Sequence, residues 1–272
     1  MSEPQYVETR RHGRTLTITL RKPKVNAIDY VLSRQVHAAL RELQDDPDLI
    51  VGVLTAEGDR IFSAGMDLKA FAAQELNPER DADPVNGWGP GGFAGITEAF
   101  DIDKPVIAAI NGAAIGGGFE MALACDLILM SETAWFQLPE MQRGFLPEAG
   151  AIQRLPRILP PTVATDLFLT GRRFEAAEAR QWGLARDVVP AAELQAAAAA
   201  LAEEVAKGAP LAIRALKAVL RKIETLPIQQ AMATTKPNQS GLPIYETMIR
   251  SHDALEGSKA FAEKRAPNWL GR

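Results

Sequence analysis

Two glutamates and a run of glycines carry the chemistry that this sequence offers. In AIGGGFEMALACDL, residues 114 to 127, three consecutive glycines precede Glu120, the only charged residue between Lys104 and Asp126. A second acid, Glu140, follows a proline in WFQLPEMQRGFLPEAG. Apolar neighbours raise a carboxyl pKa, whereas a helix N-terminus lowers it, so Glu120 stands between two opposed effects. Paired carboxyls in apolar company suit acid/base work. Glycines at a helix entry let a ligand approach the backbone and leave N–H groups pointing outward. Such donors can stabilise a negative charge that develops only during a reaction. A tight, closely packed strand-to-helix turn would require the same glycines. Taken alone, Glu140 reads as a loop or helix-start acid.

Other chemistries fit less well. The dinucleotide fingerprint G-x-G-x-x-G fails at its third position, which is Met121, and no acidic ribose ligand ends a following strand. No Lys-Ser or Lys-Thr pair follows the glycines, which excludes a P-loop. There is no metal-ligand spacing, and His12, His37 and His252 are scattered, each reading as a surface residue. Cys125 is the only cysteine, so no internal disulfide can form, and a reducing cytoplasm is expected. Inside ALACDL it reads as a packing residue.

The elements that must position these residues alternate in type. Thr15 to Leu20 places Leu16, Ile18 and Leu20 on one face of a strand. After the loop RKPKVNAID, a helix carries Leu32, Val36, Leu40 and Leu43 on one stripe and ends near Asp45-Asp46-Pro47. Residues 49 to 55 and 105 to 111 read as buried strands, with a turn at Glu57-Gly58-Asp59 after the first. The glycine loop then leads into a helix and the strand DLILM, and Ala134 to Gln137 forms a further strand. Strands alternating with helices imply an α/β core with crossover connections. The polar, Pro- and Gly-rich stretch 74 to 92 reads as a long, mobile loop near a site.

From about Glu193 the strand signals stop. Eleven alanines between residues 196 and 218 favour helix, and Ile213, Leu216 and Leu220 form an apolar stripe. The expected organisation is an α/β core over residues 1 to 192 and a helical region over 193 to 272, whose surplus apolar surface covers the core or meets another subunit. The chain has 272 residues and a net charge of -4, with basic residues scattered. No basic face of the kind a nucleic-acid binder needs is present. Neither an apolar leader nor a stretch long enough to span a membrane is evident, and a cytoplasmic protein is expected.

Six segments in order resemble the crotonase, or enoyl-CoA hydratase/isomerase, superfamily along nearly the whole chain. RKPKVNAID is similar to the family's first substrate loop and FSAGMDLK to its A-G-x-D-[LI] oxyanion segment. PVIAAINGAAIGGGFEMALACDL resembles the second oxyanion segment with the first catalytic acid, and FQLPEMQRGFLPEAG the segment with the second. GRRFEAAEARQWGLARDVV matches the stretch that follows, and SHDALEGSKAFAEKRAPNWLGR the C-terminal signature.

The resemblance implies an α/β spiral of ββα units, a C-terminal helical trimerisation region, and trimers that often pair into hexamers. It implies a coenzyme A thioester as substrate and no metal or redox cofactor. The backbone N–H groups of Met66 and Gly117 would hold the thioester oxygen, with Gly116 beside them. Asn26, Ala27, Ile28, Ala64, Asp67, Leu68 and Lys69 would lie along the coenzyme A arm. Glu120 and Glu140 would be the catalytic acids, holding a water as it adds across a C2=C3 double bond. Having both favours a hydratase, a hydro-lyase; a Δ3,Δ2-enoyl-CoA isomerase, a broad short-chain hydratase, and a non-catalytic or RNA-binding member are the alternatives.

A narrower resemblance rests on KPKVNAID, GPGGFAGITEAFDIDKPVIAAING, LPPTV, TLPIQQA and the final tail. It is to the subgroup that acts on crotonobetainyl-CoA, although Met66 stands where that subgroup carries tryptophan. A trimethylammonium group seeks an aromatic face or a nearby acid. Trp88, Phe93 and Glu148 could supply these; packing aromatics and a solvated acid are their ordinary roles.

Overall fold

The computed structural model describes residues 3–74 and 87–272; most of the loop expected over 74 to 92 lies outside the described residues. Ten strands form two sheets. β1 (Val7–His12), β2 (Thr15–Leu20), β3 (Val51–Ala56), β5 (Val106–Ile110), β7 (Leu127–Ser131) and β10 (Asp187–Val189) make a six-stranded sheet in the order β1-β2-β3-β5-β7-β10. β4 (Ile61–Ser63), β6 (Ala113–Ile115), β8 (Trp135–Gln137) and β9 (Phe174–Glu175) make the second, in that order. Apart from the pairs β1–β2 and β8–β9, all neighbours are parallel. The chain alternates between sheets, so β3, β5 and β7 fall in one and β4, β6 and β8 in the other. This is the spiral of ββα turns.

The long strands form where the apolar runs lie, and every residue of β3 and β5 is buried. The short strands β4, β6, β8 and β9 follow as the chain crosses to the second sheet. Ala113–Ile115 corrects one expectation: the strand that meets the glycines is β6, and not the longer β5. Helix α1 (Tyr30–Asp45) starts at Asp29, whose carboxylate accepts the Leu32 N–H at 2.9 Å. Its buried stripe includes Leu32, Val36, Leu40 and Leu43. Helix α2 (Leu68–Gln74) follows β4, and α3 (Gly117–Leu123) follows β6. Next come α4 (Ala151–Ile158), α5 (Pro161–Thr170) and α6 (Ala176–Gln181).

Beyond β10, α7 (Leu194–Ala206) covers the outer face of the large sheet. Leu194, Ala198, Leu201 and Ala202 pack there with Val51, Val53, Ile107, Ala109 and Leu129. Helix α8 (Pro210–Ile223) buries Leu211, Ala215 and Val219, while Leu216 and Leu220 are 58% and 55% exposed. After α9 (Ile228–Ala231), α10 (Pro243–Ile249) and α11 (His252–Ala262) complete the helical region. Among the described residues no helix is long and apolar enough to cross a membrane.

One aromatic stack ties α3 to the second sheet. The rings of Phe119 and Phe136 lie nearly parallel, 9° apart in plane with centroids at 4.1 Å, and both are fully buried. Phe119 precedes Glu120, and Phe136 sits on the strand leading to Glu140. Phe136→Ala should lower the unfolding free energy by about 3–5 kcal/mol; urea denaturation followed by fluorescence measures the loss.

Candidate active site

Three neighbouring parallel strands deliver the candidate groups to one edge. In register, Ser63 of β4 pairs with Ala114 of β6, and Ile115 of β6 with Gln137 of β8. Met66 lies just past β4, Gly117 and Glu120 just past β6, and Glu140 just past β8. The carboxyl ends of parallel strands are where open sheets place ligands, because loops and helix N-termini gather there. A hydrogen bond from the Gly116 N–H to the Gln137 carbonyl, at 2.8 Å, closes the β6 and β8 ends together.

Each consecutive glycine faces a different neighbour. At Gly116, φ is +53°, and a Cβ would overlap a Glu140 carboxylate oxygen. At Gly117 it would overlap the Phe93 ring, and at Gly118 the Ser63 carbonyl. Gly65 closes the other side: with φ of +81°, its Cβ would lie 2.6 Å from the Ile115 oxygen and 3.0 Å from the Gly117 nitrogen. The backbones after β4 and β6 therefore approach more closely than any side chain allows. Among the described residues, neither the Met66 N–H nor the Gly117 N–H donates to a protein acceptor. Ile28 explains why Met66 is left over. Its N–H donates to the Gly65 oxygen at 2.8 Å, and its carbonyl accepts the Asp67 N–H at 2.8 Å, on either side of Met66.

Both acids line one cleft of about 750 Å³. That volume suits an extended small-molecule ligand. Glu120 is 3% exposed, and its Oε1 accepts the Ala151 N–H at 3.0 Å. Burial pushes its pKa from 4.5 up to about 7; the Ala151 amide opposes the rise, and the charge of Glu140 adds to it. Burial likewise raises Glu140, against its own amide and Arg143. Its Oε2 is buried without a hydrogen-bond partner, an acceptor facing unfilled need.

Of the other expected residues, Ala27, Ala64, Asp67, Leu68, Lys69 and Gly116 line the same cleft, as do Trp88, Phe93 and Glu148. Asn26 and Ile28 do not. Asn26 is buried, with its amide donating to the Phe62 carbonyl at 2.9 Å. Ile28 is wholly buried and acts through its backbone. The Asp67 carboxylate is engaged, accepting from the Ala70 N–H at 3.1 Å and from Lys22 at 3.1 Å. Lys22 also bonds Asp29 at 2.6 Å.

The structure adds groups that sequence reasoning missed. Lys24 and Arg143 are exposed cations lining the cleft, and Phe145, Leu146 and Glu98 line it too. The Ala151 amide is the least visible from sequence, because a backbone donor carries no residue-type signal. Only Gly150, at φ of +126° before α4, hints at the turn that aims it.

The chain belongs to the enoyl-CoA hydratase/isomerase family, whose profile it matches over residues 10–272. The carnitinyl-CoA dehydratase of Proteus mirabilis is 48% identical over the full length of both chains, at 100% coverage of each. That of Salmonella typhi is 48% identical, covering 96% of this chain and 97% of the relative. Among solved structures, an enoyl-CoA hydratase from Mycobacterium tuberculosis superposes with a TM-score of 0.86 at 35% identity, covering 98% of this chain and 99% of the other.

The raised pKa of Glu120 has a signed consequence for stability. Unfolding returns it to about 4.5, so the stability held by the protonated form is complete below that pH and is lost as pH rises through about 7. Glu120→Gln removes this loss while keeping an acceptor for Ala151. The variant should gain on the parent by about 2–3 kcal/mol between pH 5 and pH 8.5; urea titrations at the two pH values measure it.

Proposed function

We propose that this protein catalyses the reversible hydration of the C2=C3 double bond of a short-chain enoyl-CoA thioester. It is an enzyme of the hydro-lyase class. One observation carries the reading: a buried and a half-buried carboxyl group, both with raised pKa values, share a cleft with two backbone N–H groups that have no acceptor among the described residues.

The chemistry follows from those groups. The Met66 and Gly117 amides would receive the thioester oxygen. As electrons move from the double bond toward the carbonyl, that oxygen gains negative charge, and each donor contributes roughly 3–4 kcal/mol at such a centre. Burial and mutual repulsion favour one proton on the Glu120–Glu140 pair at neutral pH. The ionised member takes a proton from water as its oxygen attacks C3, and the protonated member gives one to C2. The water's two hydrogens are thus accounted for, and a proton passing between the acids resets the pair. The reverse path dehydrates. Glu140 Oε2 offers a seat for the water.

At the cleft mouth, Lys24, Lys69 and Arg143 are suited to phosphate groups of coenzyme A. Crotonobetainyl-CoA, hydrated to carnitinyl-CoA, is the specific substrate we propose, supported by the names of the two relatives. Hydration needs both acids, whereas double-bond isomerisation needs only proton shuttling by one. Glu120→Gln and Glu140→Gln should each reduce hydratase kcat by about 10²-fold or more, measured as absorbance change of the enoyl thioester. Full turnover in either variant would overturn the assignment of roles.

The helical region over 193 to 272 is proposed to serve assembly. Leu216 and Leu220 on α8 are exposed with Ile228 and Met232, which are 79% and 57% exposed. Apolar side chains in such number on one region mark an interface. Light scattering at micromolar concentration should give a trimer or hexamer; a monomer would refute this.

A further inference from the structure

The cleft holds two acids that the hydration chemistry leaves idle. Glu98 and Glu148 both line it and are both exposed, and neither forms an ion pair with a described residue. Their places are set by the same contacts that build the catalytic edge. A Cβ on Gly92 would meet the Glu98 side chain, 2.8 Å from its Cβ and Cγ. Glu98 therefore lies against the residue before Phe93, whose ring packs on Gly117. The Trp88 ring stands 4.8 Å from that of Phe93, tilted by 58°, and is braced by Tyr30 at 4.5 Å. Glu148 enters from the opposite segment, just ahead of the Ala151 amide that holds Glu120.

Two aromatic rings and two solvated carboxylates thus line the cleft that Glu120 and Glu140 share. With Asp67, Glu120 and Glu140, five acids line the cleft. Arg154, half-buried and donating to the Thr97 carbonyl at 2.6 Å, feels Glu120 and Glu98 without lining the cleft, whereas Arg143 lines it and acts on Glu140. Lys22, Lys24, Lys69 and Arg143 line the cleft too, with Lys22 paired to Asp29 and Asp67. A neutral acyl chain gains nothing from two carboxylates without an ion-pair partner among the described residues. A quaternary ammonium group is bulky, donates no hydrogen bond and is attracted by aromatic faces, so it suits rings flanked by carboxylates better than a tight ion pair.

We propose that Glu98 and Glu148, with Trp88 and Phe93, are the specificity-determining wall of the cleft, selecting acyl chains that carry a quaternary ammonium charge. The proposal rests on the enoyl-CoA hydratase reading and assigns residues to its choice of substrate. The test compares kcat/KM for crotonobetainyl-CoA with that for 5,5-dimethylhex-2-enoyl-CoA, in which carbon replaces the charged nitrogen at constant shape. The parent should favour the cation. Glu98→Gln and Glu148→Gln should each lower that preference by about three- to tenfold, and the double variant by more. Binding of the saturated 4-trimethylammoniobutyryl-CoA, by calorimetry, should weaken in parallel, and a thermal melt at the parent's temperature shows that the variants fold. An unchanged preference in both single variants, or none in the parent, overturns the assignment while the hydratase reading stands. Failure to hydrate both thioesters and crotonyl-CoA overturns the hydratase reading, and this one with it.

Discussion

Two carboxyl groups are held together where water is scarce, and the rest of the site answers to that constraint. Glu140 occupies the space a side chain at residue 116 would need, so glycine is required there twice over, for room and for φ of +53°. The β6–β8 pairing and the Gly116–Gln137 hydrogen bond set how near the two acids stand. Two adjacent buried anions would be costly in so apolar a setting. The pair therefore holds protons more tightly than free carboxylates do, which is what proton exchange with a substrate near neutral pH asks of it.

Opposed effects keep Glu120 in a useful range. Burial alone would favour the neutral acid, while the Ala151 amide favours the anion, and the balance falls at about 7. Both protonation states are then populated at neutral pH. Lys24, Lys69 and Arg143 line the same cleft as Glu98, Glu148 and the two rings, and Arg143 is near enough to Glu140 to oppose the rise in its pKa.

Much of the fold was legible because its strands are buried on both faces and so read as continuous apolar runs, as VIAAI does in β5. Helix α1 announced itself by the Leu32-Val36-Leu40-Leu43 stripe, while its cap at Asp29 came from the structure. Of the short strands, β8 was read as Ala134 to Gln137, but β4, β6 and β9 were harder, because two or three residues cannot display a period; Ala113–Ile115 was hidden between β5 and the glycines. The stripe of Ile213, Leu216 and Leu220 could have faced either way. Packing of α8 through Leu211, Ala215 and Val219 turned Leu216 and Leu220 outward.

By itself the sequence determined which residue types were available: two acids set in apolar segments, glycines at a helix entry, and an order of motifs resembling one family. Those follow from local composition and spacing, which the chain carries whether folded or not. Only the tertiary structure decided that Glu120 and Glu140 share a cleft, that Asn26 and Ile28 face the core instead, and that the Ala151 amide and Glu98 join the site. Such placements depend on register between strands distant in the chain, and on backbone donors that have no side-chain signature.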